Sequence, residues 1–196
     1  MATAPGNRSY PPLERLTSAS LALQPIVTNT IDIRRASEKD IPLILGFIQD
    51  LATYERLRDS CVATEEKLRD TLFSDTPGAE VIIASVDDEP MGFALFFHNY
   101  STFLAQRGIY LEDLFVRPAA RGKGVGFALL SALARIALER DCGRLEWAVL
   151  DWNQLAIDFY KRIGARPLDD WTVFRLTAGS LETLADKHQG KHPVID

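Results

Sequence analysis

The sequence predicts an α/β fold of the mixed, α+β kind: a central, mostly antiparallel sheet flanked by helices, with elements in the order βααβββαβαβ. Two observations carry that expectation. Between residues 80 and 117, three segments rich in Val, Ile and Phe follow one another with short polar breaks, the pattern of an antiparallel meander. From residue 122 onward the period changes, and helical and strand-like segments alternate.

Taken in order, Thr30–Ala36 alternates apolar and polar residues, with Ile31 and Ile33 on one face, and reads as a short strand. Ser37–Asp40 has the form of a capping box with Asp at the fourth position, and so opens a helix. Ile41, Ile44, Ile48, Leu51 and Ala52 continue it as an apolar stripe, with an end expected near Arg58. A second, shorter helix is expected over residues 64–74, before Thr76-Pro77-Gly78. Glu80–Val86 and Pro90–Tyr100 form a hairpin about the turn residues Asp87-Asp88-Glu89-Pro90. Gly108–Arg117 is the third strand of the series, stopped by Pro118. A long helix over roughly 122–140 shows Val125, Leu129, Leu133 and Ile136 on one face. Leu145–Leu150 reads as a buried strand, Asn153–Ile163 as a helix ended by Gly164, and Trp171–Leu176 as the last strand.

At 196 residues the chain suits one domain with extensions, and 46% hydrophobic with 25% charged residues places it among globular proteins. Residues 1–30 hold five prolines or glycines and two arginines without an apolar signal core, and are expected to be a flexible extension. The folded domain is expected over 31–178, and 179–196 as a partly helical tail. A net charge of −5 gives no overall positive field, which argues against nucleic acid and anionic lipid as partners. No run approaches the ~20 apolar residues of a membrane span, so a cytoplasmic protein with no membrane partner is expected. Cys61 and Cys142 stand alone, and His188 and His192, four apart before Pro193, lack any metal-site context; no metal is expected.

Arg121-Gly122-Lys123-Gly124-Val125-Gly126 lies between a strand and a long helix, where backbone N–H groups at a helix N-terminus can hold a phosphate. Arg121 and Lys123 add positive charge there. Lys123 is followed by Gly124 rather than Ser or Thr, so this is no Walker loop, and Phe127 stands where GxGxxG needs its third glycine. A ligand-free tight turn remains the alternative for such a short motif.

Arg121-x-x-Gly124-x-Gly126 resembles the R/Q-x-x-G-x-G/A loop of the GNAT superfamily of N-acetyltransferases. Tyr110–Val116 before it, and Trp152-Asn153 through Phe159–Gly164 after it, resemble the spermidine/spermine (diamine) acetyltransferase branch. Asp50–Glu55 and Trp171-x-x-Phe174 extend the similarity over roughly residues 31–176. The resemblance implies an acetyl-CoA-dependent enzyme acting on a small diamine, polyamine or thialysine-like amine, and a homodimer. It places the pyrophosphate on the backbone of Arg121, Gly122, Lys123, Gly124, Val125, Gly126 and Phe127, and the pantetheine arm along Leu114, Phe115 and Val116. It also assigns Asn153 to the pantetheine, Glu112 as a water-linked general base, and Tyr160 as the acid for the leaving thiolate.

The chemistry agrees with those residue types. A primary amine of pKa ~10.4 is protonated at neutral pH, so a carboxylate such as Glu112 must take a proton before the nitrogen can attack. Regular alternation sends Glu112 and Asp113 to opposite faces, so that only one enters a given cleft; the alternative for the pair is a solvated edge. Asn153 and Tyr160, seven residues apart, share a helix face; an N-cap and a packed ring are their alternative readings. For the acceptor, the resemblance points to Tyr54, Glu55, Glu146, Trp147, Ala148 and Asp169. Ser101-Thr102-Phe103 stands where polyamine enzymes carry a carboxylate followed by Trp, which favours shorter amines. A protein or peptide amine as acceptor, and a non-catalytic acyl-CoA sensor, are the competing functions.

Overall fold

A computed structural model describes residues 30–187. The 1–30 extension, apart from Thr30, and His188 and His192 lie outside the described residues. The described chain falls into two units divided between Glu146 and Trp147.

The first unit is built on a sheet of strand order β1-β2-β3-β4-β5, comprising β1 (Ile31–Arg35), β2 (Glu80–Val86), β3 (Glu89–Ser101), β4 (Gln106–Val116) and the short β5 (Leu145–Trp147). Its first four strands are antiparallel neighbours. Asp87 and Asp88 make the β2–β3 turn with φ of 49° and 66°, the left-handed pair that a two-residue hairpin requires. Pro90 is therefore inside the strand, opposite Ser85 at a register shift where a missing N–H is tolerated.

Alternation along these strands gives each face its own core. On one face Val81, Ile83, Phe93 and Phe115 pack with Ile41, Ile44, Phe47 and Leu51 of α1 (Ile41–Tyr54) and Leu68 of α2 (Glu65–Leu72). The Phe47 and Phe93 rings stack at 5.3 Å, nearly parallel. The opposite face carries Ile82, Ala94 and Phe96 and receives α3 (Val125–Glu139), whose Val125, Leu129 and Leu133 are fully buried.

The helix starts follow the sequence. Asp40 accepts from the Ser37 backbone N–H at 2.8 Å and from its hydroxyl at 2.9 Å, and Arg34 adds a two-pronged ion pair at 2.8 and 2.6 Å. The Arg34 guanidinium, with Ser37, holds the Asp40 carboxyl well below the usual carboxylate range. α1 stops at Tyr54, four residues short of the expected end near Arg58; Arg56 turns left-handed at φ 63°. Thr64 caps α2 by accepting from Lys67 N–H at 3.2 Å.

In the second unit, α4 (Gln154–Arg162) and α5 (Ala178–Asp186) are the regular elements among the described residues beyond β5. Two expectations fail in this region. β5 ends at Trp147 rather than Leu150, and the strand expected over Trp171–Leu176 is absent, since residues 171–177 carry no regular structure. Trp171, Val173 and Phe174 have strand propensity, but a strand exists only where its N–H and C=O groups meet a neighbour's. The last helix, α5, falls at the start of the tail expected to be partly helical.

Candidate active site

The central feature of the first unit is an irregularity in β4. Phe96 pairs with Leu111 and Leu95 pairs with Asp113, so Glu112 is an extra residue without a partner across the ladder. Such a bulge breaks the two-residue alternation. Leu111 lies with Phe96 on the α3 face, whereas Asp113, two residues on, lies with Leu95 and Phe115 on the α1 face. The regular alternation expected at Glu112 and Asp113 is thus interrupted by the bulge. Glu112 is exposed at the bulge, Asp113 is half-buried, and the charges of Glu112 and Glu55 both act on Asp113.

Burial first, then repulsion from Glu112 and Glu55, pushes the Asp113 carboxyl up to about 6. Glu55, half-buried just past the end of α1 beside Tyr54, is also raised, by burial. Three acids thus share one neighbourhood at the α1 end of β4, two with a weakened preference for the charged form. Sequence reasoning reached Glu112 and Glu55 but not Asp113; a Glu-Asp pair inside an apolar strand was the available signal.

Beyond β4 the loop turns into α3. Gly124 sits at the N-cap with φ 88° and Gly122 has φ 75°, conformations that side-chain-bearing residues adopt only with strain. Gly124 has no side chain to cap the helix and the first turn carries no acid, so among the described residues no side chain caps the N–H groups of Val125, Gly126 and Phe127 at the positive end of α3. The contrast with the capped starts of α2 and α4 is direct. Residues 121–124 are exposed, as is the Phe127 ring.

The loop's side chains behave differently from expectation. Arg121 does not extend from the loop: its Nε donates to the Val116 carbonyl at 3.1 Å, and its guanidinium lies 4.6 Å from the Tyr54 ring centre and 5.9 Å from that of Phe115. Lys123 is exposed. Phe115 places its side chain in the α1 core, so only its backbone can serve a ligand, while Leu114 and Val116 are half-buried. On one side β3 covers this stretch, through the pairs Ala94–Leu114 to Gly92–Val116. On the other, the Arg144 carbonyl accepts from Ile109 N–H at 3.0 Å, and a three-residue β5 placed there is too short to run beside Leu114–Val116.

Glu146 is already satisfied within the protein. Asn99 donates to its Oε2 at 2.7 Å and Arg144 approaches the same oxygen at 2.8 Å, leaving less of its charge for an ammonium. In the second unit Asn153 caps α4, its Oδ1 accepting from Ala156 N–H at 3.4 Å. Tyr160, seven residues on, lies within the same helix, its ring tilted against Trp147 at 5.0 Å and Phe159 at 5.5 Å. Trp147 is half-buried, Ala148 exposed, and Asp169 exposed in a turn. No group of metal-ligating side chains occurs among the described residues.

The bulged fourth strand runs into the uncapped N-terminus of α3, an arrangement that offers backbone N–H groups to an anionic ligand. The chain belongs to the GNAT acetyltransferase family, whose profile matches residues 49–165, more than half of its length. It is accordingly an N-acetyltransferase with acetyl-CoA as co-substrate. Within the family it is 39% identical to the bovine (Bos taurus) thialysine N-epsilon-acetyltransferase, over 79% of this chain and 97% of that one. It is 34% identical to an L-ornithine N5-acetyltransferase of Arabidopsis thaliana, over 78% of this chain and 86% of that one. Among solved structures, an integron cassette protein of V. cholerae aligns with a TM-score of 0.68 and 31% identity, covering 79% of this chain and 97% of that one.

Proposed function

We propose that the protein transfers the acetyl group of acetyl-CoA directly to the terminal amine of a short diamine or a lysine-like side chain, thialysine and ornithine being the models. The observation that carries this reading is the bulge that exposes Glu112 beside half-buried Asp113 and Glu55. An acceptor arrives as an ammonium, and this acidic surround favours its approach; Glu112, directly or through one water, then takes the proton that frees the nitrogen to attack the thioester. The names of the related thialysine and ornithine enzymes support a side-chain amine of about that length.

For the cofactor, the N–H groups at the start of α3 receive the pyrophosphate, and the uncovered edge of Leu114–Val116 pairs with the pantetheine amides. Tyr160 serves as acid for the departing thiolate and Asn153 as a pantetheine ligand, both on the strength of the resemblance. A cytoplasmic homodimer completes the proposal; light scattering at micromolar concentration reads the oligomeric state.

The test is release of CoA thiol from acetyl-CoA with thialysine, ornithine, putrescine, spermidine, a lysine peptide or no acceptor. Turnover highest with the short amines supports the proposal. A preference for the peptide assigns a protein substrate, and CoA binding without turnover on any amine assigns a sensor.

A further inference from the structure

Past the bulge, the α1 face of the sheet continues into a polar cluster that no step of the proposed chemistry uses. Residues two apart on β3 share a face, so Leu95, opposite Asp113, is followed there by Phe97 and then Asn99. Phe97 and Tyr110 meet across the ladder with ring centres 5.3 Å apart, and Asn99 stands opposite Gly108, about 13 Å from Leu95 at ~3.4 Å per residue. A Cβ on Gly108 would lie 2.3 Å from Asn99 Oδ1 and 2.8 Å from Arg144 Cγ, so the glycine leaves the gap in which side chains of β3 and β5 meet over β4. There Asn99 Nδ2 donates to Glu146 Oε2 at 2.7 Å, and Arg144 Nε lies 2.8 Å from the same oxygen. That approach is close but not aligned: Arg144 Nε and Asn99 Oδ1 are both buried without a hydrogen-bond partner among the described residues. From its far end the guanidinium donates through Nη2 to the Tyr100 carbonyl, at a long 3.4 Å. The Arg144 and Glu146 side chains keep 34% and 27% of their exposure, enough for a ligand to reach them. Arg144 thus has donors to spare, and both contacts to Glu146 fall on one oxygen, leaving Oε1. The cluster is electroneutral and offers both signs, unlike the all-acid surround of Glu112, Asp113 and Glu55.

We propose that Arg144 and Glu146 are specificity-determining residues that receive the α-carboxylate and α-ammonium of an amino-acid acceptor, so that the enzyme selects the side-chain amine of a free amino acid over a simple diamine. The inference deepens the proposed function and rests on its placing of the acceptor amine beside Glu112. A guanidinium fork matches a carboxylate with two parallel hydrogen bonds, and the adjacent Glu146 oxygen takes the ammonium that accompanies it. A diamine brings only a second ammonium, which the Arg144 charge repels and the already paired Glu146 holds weakly. Phe97 and Tyr110, in the row between the acids and the ion pair, give the methylenes an apolar floor. An extended ornithine or thialysine with a hydrogen bond at each end spans about the distance from those acids to the pair.

Ornithine and putrescine differ by the α-carboxylate alone, and ornithine α-amide keeps both amines while losing that charge. Release of CoA thiol from acetyl-CoA gives kcat/KM for each of the three. In the wild type ornithine exceeds putrescine and the amide by about tenfold, the lower range for a charge-assisted pair that is partly exposed. Arg144→Gln lowers kcat/KM for ornithine by about tenfold and raises that for putrescine, because it removes a repelling charge and frees Glu146; damage to the fold would lower both. The same variant no longer separates ornithine from its amide. Arg144→Lys, which keeps the charge without the fork, gives an intermediate ratio of ornithine to putrescine and serves if the Gln variant does not fold. Equal rates for ornithine and its amide in the wild type overturn the proposal, a comparison that needs no variant. So do parallel losses on ornithine and putrescine in the Arg144 variants. Turnover of putrescine without turnover of ornithine also overturns it, while leaving acetyl transfer to a small amine standing; no turnover on any amine removes the functional reading itself, and this proposal with it.

Discussion

Asp113→Asn removes a carboxylate that the fold holds in its less favourable state, and it should change the pH dependence of stability in a defined way. Asp113 has an ordinary pKa of 3.8 and is pushed up to about 6 in the folded protein, first by burial and then by the charges of Glu112 and Glu55. Between these values the folded state binds more protons than the unfolded one, so this group's contribution to stability falls as pH rises from about 4 to about 6. A shift of about two units corresponds to up to about 3 kcal/mol, fully expressed above pH 7 and absent below pH 3. Asparagine cannot ionise, and any cost of burying its amide is the same at every pH. Urea unfolding followed by circular dichroism at pH 4, 5, 6 and 7.5 should show the variant gaining on the wild type by up to about 3 kcal/mol across that interval. Parallel stability curves for the two proteins would mean that Asp113 is solvated and that the three acids do not share one environment.

Glu112→Gln should lower kcat most at low pH, with the deficit shrinking as the solution approaches the amine's own pKa and bulk deprotonation replaces the base; a pH–rate profile of wild-type shape rejects the base role. Gly124→Val forces a branched side chain to φ 88° at the start of α3. It should raise the KM for acetyl-CoA at least tenfold, with a stability loss of about 1–2 kcal/mol measured by thermal denaturation. Asp40→Asn should destabilise the protein by about 1–2 kcal/mol at pH 7. Because the Asp40 carboxyl is held well below the usual carboxylate range in the fold, that difference should begin to narrow only as pH falls below about 4 and vanish only once the folded-state carboxyl is itself protonated; melts at pH 7 and pH 3 should show it smaller, but still present, at pH 3.

Local chemistry determined a large part of this protein within the sequence. The Ser37–Asp40 box, the Asp87-Asp88 turn, the apolar periods of α1 and α3 and the glycines at 122 and 124 each act through neighbours a few residues away, and each stands where the sequence placed it. The loop motif and its flanks were likewise sufficient to point to the family, whose profile matches residues 49–165. What the sequence could not decide depends on partners distant along the chain. The bulge at Glu112 exists only in the register between β3 and β4, and it is this register, rather than the residues themselves, that sets Asp113 against the α1 face with Glu55. Arg121 carried the charge of a phosphate ligand until Tyr54, 67 positions earlier, gave its guanidinium an aromatic face. Glu146, expected on the acceptor side, carries Asn99 and Arg144 on its carboxylate. Trp171–Leu176 had the composition of a strand but forms none. Propensity acts within a few residues, whereas register, stacking and ion pairing are settled only when remote segments meet, and these remote contacts set the charge and reach of the site's side chains.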